Sequence, residues 1–249
     1  MVLLLVAHGS RDPRHAATVT ALRRAIAGRR PGLRVKVGFL DFCAPGVPRV
    51  LERLAAEGVR EVVAVPLLLT RAFHAKADIP AVLAGATARL PGMAVRQAAV
   101  LGPSALLTGA LERRLRQAGV RDADRSSTGV VLASAGSSDP EAIAVIAEIA
   151  REWRHTGGWC AVRPAFASAS LPRTEDAVRA LRRVEGVRRV AVAPYVLAPG
   201  RLPDRIATGA RAADFLADVL GPAPEVAALV LRRYEEVLAL PSPVAAATA

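Results

Sequence analysis

Hydrophobic positions along this chain fall into short unbroken runs, separated by longer segments in which apolar residues recur at helical spacing. The first run, VLLLVA at 2–7, passes directly into His8, Gly9, Ser10, Arg11, Asp12 and Pro13. A short all-apolar run bounded by turn residues predicts a strand buried on both faces. Asp12 and Pro13 then predict an N-cap and a first helical position, so a helix follows over 13–30. His8 falls where strand gives way to loop, the sheet edge at which open α/β proteins bind ligands.

The alternation continues down the chain. Strands are predicted at 35–42 (VKVGFLDF), 61–69 (EVVAVPLLL) and 94–101, and helices at 47–57, in a segment ending near Pro91, and from Pro103 to Gly119. A loop at 70–78, TRAFHAKAD, carries His74. The order then recurs, with strands at 130–134, 160–168 and 188–197, helices at 140–154 and 175–184, and a last helix headed by Gly221 and Pro222. A shift of 127 positions carries Gly9 to Gly136, Ser10 to Ser137, Asp12 to Asp139 and Pro13 to Pro140, but His8 to Ala135. The scaffold is repeated and the histidine is not. The expected fold is α/β: two tandem flavodoxin-like domains, each a four-stranded parallel sheet flanked by helices. They are expected at 1–122 and 128–240, with the polar residues 123–127 as linker and 241–249 as a flexible tail.

Composition narrows the class. At 52% hydrophobic residues the chain is globular rather than disordered. No run approaches the roughly 20 apolar residues of a membrane span, and the first one, short and without a basic residue before it, is no signal peptide. Cys43 and Cys160 form no CxxC pair and carry no zinc or iron–sulfur signature. A cytoplasmic protein without membrane contact is expected. The formal charge of +12, almost all of it arginine, calls for an anionic partner. Without a dense basic run, and with 4% aromatic residues, nucleic acid is the weaker fit beside a polycarboxylate.

In the strand order 2-1-3-4, strands one and three are neighbours, which brings His8 and His74 to one sheet edge. Asp41 ends strand two, on the other side of strand one. Two imidazoles and a carboxylate suit a borderline divalent ion such as iron, cobalt, nickel or zinc, and so few ligands leave it labile. Each residue also has a plain structural reading. A strand-end histidine can simply be hydrogen-bonded, and Asp41 can accept loop amides. Ser10 and Asp12 read first as turn and cap residues, since Ser137 and Asp139 persist without a histidine. His15 and His155 read as exposed or structural. Arg11, Arg71 and Lys76 flank the two histidines, and Arg201 and Arg205 occupy the matching loop of the second half. Together they can hold carboxylates.

The segments AHGSRDP, FLDF, PLLLTRAFHAKADIP and PYVLAPGRLPDRI resemble the class II tetrapyrrole chelatases, and among them the sirohydrochlorin chelatases of siroheme and cobalamin biosynthesis. The resemblance covers nearly the whole chain, duplication included. It implies a lyase-type reaction in which Fe²⁺ or Co²⁺ enters sirohydrochlorin, or a related polycarboxylate tetrapyrrole, and two pyrrole N–H protons leave. The metal is then a substrate and no cofactor is permanently bound. His8 and His74 match the family's two active-site histidines, as metal ligands and catalytic groups. Asp41 stands where relatives carry glutamate, a shorter carboxylate in the same place. Ser10, Arg11, Arg71, Lys76, Arg201 and Arg205 are assigned to the substrate's side chains. Chains of this length look like two fused short-form subunits with one active copy, so a monomer is expected. The lack of a histidine-rich stretch leans the metal toward iron. A non-catalytic metal or tetrapyrrole carrier is the alternative. A histidine phosphatase fits less well, because His8 follows Ala7 rather than an arginine.

Overall fold

The computed structural model describes residues 1–70 and 78–240. Eight strands and eight helices alternate through them: β1 (Val2–Ala7), α1 (Pro13–Arg29), β2 (Arg34–Phe39), α2 (Val47–Ala56), β3 (Glu61–Pro66), α3 (Ile79–Thr87), β4 (Ala94–Gln97), α4 (Ala105–Gln117), β5 (Thr128–Ser134), α5 (Pro140–Gly157), β6 (Ala161–Phe166), α6 (Thr174–Leu181), β7 (Arg189–Tyr195), α7 (Arg201–Gly209), β8 (Phe215–Leu216) and α8 (Pro224–Leu238). They build two parallel four-stranded sheets, ordered β2-β1-β3-β4 and β6-β5-β7-β8. This is the expected α/β fold, duplicated.

Burial explains the order. Every residue of β1 and β5 is buried, so each takes a central place with a neighbour on both sides. The edge strands β2 and β4 carry Arg34, Lys36, Arg96 and Gln97 and are only partly buried. Helices close the core on one face of each sheet: Leu51 and Leu54 of α2 and Leu83 of α3 meet Leu4 and Val6 of β1, and Leu181 of α6 and Ile206 of α7 meet Val131 and Val192.

Packing divides the chain into two compact units that do not coincide with the sequence repeats. One comprises Met1–Leu101 with Val226–Ala249, the other Gly102–Glu225. Each sheet is thus completed by the helix that follows the other sheet's last strand. In the first unit α8 is tied to the β4 edge by Arg96, whose Nη1 donates to the carbonyls of Val237 at 2.9 Å and Leu240 at 3.1 Å. Arg233 Nε donates to the Val100 carbonyl at 2.9 Å. In the second unit Glu112 of α4 accepts from Arg125 at 3.1 Å and from Trp153 Nε1 at 3.1 Å.

The sequence reading is amended in three places. Residues 123–127, read as a linker, lie in a 3-10 helix, Asp122–Ser127. Arg125 anchors it, pairing with Asp122 and Glu112 while its guanidinium lies 4.9 Å from the Trp159 ring centroid. The strands predicted to 42, 69 and 101 end at Phe39, Pro66 and Gln97. After Phe39 the chain doubles back, so that the Phe39 amide donates to the Pro45 carbonyl at 3.0 Å. Arg201 and Arg205, read in a loop, lie on α7. No helix among the described residues is long and apolar enough to cross a membrane.

Candidate active site

The site begins at the end of β1. Beyond Ala7 the parallel ladder runs on: the Leu40 amide donates to the Ala7 carbonyl and the Asp41 amide to the His8 carbonyl, both at 2.9 Å. On the other side the Leu67 amide donates to the Val6 carbonyl at 2.8 Å. His8 is therefore fixed at the C-terminal edge of the central strand, where β1 and β3 adjoin and the connections diverge.

The loop after His8 turns on Gly9, at φ +96°. Ser10 Oγ accepts the Asp12 amide at 3.1 Å, and Asp12 Oδ1 accepts the Arg14 amide at 2.9 Å as the N-cap of α1. Hydrogen bonds from Arg14 hold the Asp12 carboxyl below its usual range. Ser10 and Asp12 are thus engaged in the turn and cap. The same two bonds recur in the second copy, where Ser137 Oγ accepts the Asp139 amide at 3.0 Å and Asp139 Oδ1 the Glu141 amide at 3.0 Å.

The His8 Nδ1 atom lies 3.2 Å from the Gly9 carbonyl oxygen. As the protonated nitrogen it donates there, which puts the ring's lone pair on Nε2. Asp41 stands beside it in the returning loop, with its Oδ1 accepting the Phe42 amide at 2.8 Å. Cys43 Sγ donates to the Ser10 carbonyl at 3.1 Å, joining this loop to the first. Arg11 is exposed, its guanidinium 5.3 Å from the Phe42 ring centroid. His74, Arg71 and Lys76 lie outside the described residues. Among the described residues, no three histidine, cysteine or carboxylate side chains converge in a way that could hold a metal.

Sequence reasoning missed two neighbours of His8. Phe42 is 52% exposed, and its ring stacks with the imidazole at a centroid distance of 6.2 Å and an interplanar angle of 29°. His15, in the first turn of α1, is half-buried with its ring 6.4 Å from that of Phe39. Burial first, and then the nearby His8, push the His15 imidazole below the ordinary histidine value, while Asp12 pulls the other way. Its Nδ1 is buried and finds no hydrogen-bond partner among the described residues. The available signal was the repeat: in the same alignment Phe42 falls on Ala169 and His15 on the buried Ala142.

In the second unit Arg205 lines a cleft of about 590 Å³ with Arg173, Thr174, Glu175 and Thr208. Arg201, the first residue of α7, is exposed.

A duplicated parallel α/β protein with one imidazole-bearing strand edge and one copy stripped of it is the class these features define. The chain belongs to the CbiX family, whose model matches residues 2–118 and 129–237. It is 26% identical over 207 residues to a sirohydrochlorin cobaltochelatase of Priestia megaterium, covering 82% of this chain and 66%, just under two thirds, of that relative. It is 27% identical over 204 residues to a sirohydrochlorin ferrochelatase of Bacillus subtilis, covering 82% of this chain and 77% of that protein. The structure of SirB from Bacillus subtilis with Fe³⁺ superposes with a TM-score of 0.81 at 25% identity, over 96% of this chain and 95% of that one.

Proposed function

We propose that this chain is a sirohydrochlorin chelatase: it inserts a divalent metal, Fe²⁺ in preference to Co²⁺, into the metal-free macrocycle and releases two protons. The observation that carries the reading is the selective loss between copies. The loop backbones coincide, down to Gly9 and Gly136 at φ +96° and +90° and Phe42 and Ala169 at φ 59°. Yet His8, Asp41 and Phe42 become Ala135, Ser168 and Ala169. Fold requirements hold the glycine, serine and N-cap aspartate in both copies, so the residues confined to the first are there for chemistry.

In this reading His8 and His74 hold the incoming ion as a labile two-imidazole complex, which the four pyrrole nitrogens can outbid. Metal entry displaces two N–H protons, so a base must stand at the macrocycle centre; an imidazole or Asp41 receives them. Arg11, Arg71 and Lys76 hold the peripheral carboxylates. The metal is a substrate, and one chain, a fused pair of half-sized units, works as a monomer in the cytoplasm.

The test is an anaerobic absorbance time course of sirohydrochlorin with Fe²⁺ and, separately, Co²⁺. Acceleration over the uncatalysed rate by the wild type, lost in the His8→Ala/His74→Ala double variant, is the expected result. Tight macrocycle binding with no acceleration would instead make the chain a tetrapyrrole carrier.

A further inference from the structure

The geometry points to Phe42 as the platform on which the flat face of the macrocycle stacks beside His8, an inference that rests on the chelatase reading. Four observations carry it. Phe42 is a large aromatic side chain left 52% exposed, outside the apolar core of its unit. It holds φ at 59°, a left-handed conformation that is uncommon for a bulky residue. The loop itself requires that backbone but not the ring, because Ala169 adopts φ 59° at the equivalent position of the second copy. Finally, the ring stacks with His8 and lies 5.3 Å from the Arg11 guanidinium.

An exposed phenyl with an imidazole and a guanidinium beside it suits a planar, π-rich body edged with carboxylates. Offset stacking takes the face, and the arginine takes an edge carboxylate. The stack holds the macrocycle in the site, in the ground state and the transition state alike, so Phe42 is a substrate-binding residue and not a group that handles protons. Its counterpart, Ala169, offers no such surface.

The experiment compares wild type with Phe42→Ala and Phe42→Trp in the full-length chain. Three quantities are measured: binding of metal-free sirohydrochlorin by fluorescence, binding of Co²⁺ without macrocycle, and the melting temperature. Phe42→Ala is expected to weaken macrocycle binding about tenfold and raise KM to match, with kcat held within about twofold. Phe42→Trp restores binding. Co²⁺ binding and melting temperature stay at wild-type values in both. Wild-type macrocycle affinity in Phe42→Ala overturns the platform, and so does a parallel loss of Co²⁺ binding and melting temperature. A wild type that neither binds nor metallates sirohydrochlorin overturns the chelatase reading and the platform with it, an outcome visible in the unmutated arm alone.

Discussion

The carbonyl oxygen of Asp41 stands 1.8 Å from where a Cβ on Gly9 would lie. Gly136 and Ser168 repeat the relationship in the second copy, at 1.9 Å. The two loops at the end of each central strand therefore touch backbone to backbone, at a place where only glycine fits. Gly9→Ala must push the loop of Asp41 away, and it also places a side chain at φ +96°. A loss of about 2 kcal/mol or more is expected in chemical denaturation. Gly136→Ala serves as the partner experiment. It should cost a similar amount of stability and leave metal insertion intact, whereas Gly9→Ala should also lower the insertion rate, by displacing His8 from Asp41.

His8→Ala copies what the second repeat already does at Ala135. The His8 side chain is partly exposed and outside the packed core, so the variant should fold with a near-wild-type melting temperature. Removing the imidazole should lower the rate of metal insertion at least about 100-fold, the usual worth of a positioned acid–base or ligand group. Retention of more than a tenth of the wild-type rate would mean that His8 is not the metal-handling residue.

Asp41 has two jobs to separate. Its Oδ1 accepts the Phe42 amide, which shapes the loop, and its charge is available to the metal or to departing protons. Asp41→Asn keeps an acceptor oxygen and removes the charge. The expected outcome is an unchanged melting temperature with insertion slowed about tenfold. Asp41→Ala should lose stability as well, since the loop amide then lacks its partner. Full activity in Asp41→Asn would leave this carboxylate a loop residue only.

The fold was legible because its signals are local. VLLLVA at β1, the Asp–Pro helix start and the spacing of the apolar runs each follow from burial or capping, and the 127-residue repeat showed them twice. His8 stood out for the same reason, as a departure from a repeated motif, together with Arg11, which falls on Ser138. What stayed hidden depends on tertiary packing. Nothing in the apolar faces of α4 and α8 tells which sheet they cover, so the division at Leu101 and Val226 could not be read. Arg125 looked like a charged linker residue because its partners, Glu112 and Trp159, lie 13 and 34 positions away. The stacking of Phe42 on His8 needs the loop to double back at Pro45, a feature of backbone path rather than of composition.

Cys43 offers a control in the same loop. Its Sγ donates to the Ser10 carbonyl at 3.1 Å, and in the second copy Ser170 Oγ makes the equivalent bond to Ser137 at 2.6 Å. Serine therefore satisfies the same geometry. Cys43→Ser should stay within about 0.5 kcal/mol of wild type and keep its insertion rate, since it changes neither shape nor bonding. A large loss of activity with intact folding would show that the thiol takes part in the reaction, which the second copy gives no reason to expect.

His15 makes stability depend on pH in a defined direction. Burial and the neighbouring His8 hold its imidazole below the ordinary value of 6.5, so the folded state binds a proton there less readily than the unfolded chain. Between the two values the unfolded state carries more protons, and stability falls as pH falls. The contribution is whole above 6.5 and is lost as pH drops toward the depressed value of the folded state. His15→Ala, the residue that the second copy places at 142, removes the group. Thermal unfolding of both proteins from about pH 8 to about pH 5 reads the difference, since all other carboxylates and histidines are shared. The wild type should lose more stability on acidification than the variant, with the two curves diverging below pH 6.5. Parallel curves would mean that the imidazole titrates alike in the folded and unfolded chain. That outcome would refute the view that the half-buried imidazole resists protonation beside His8.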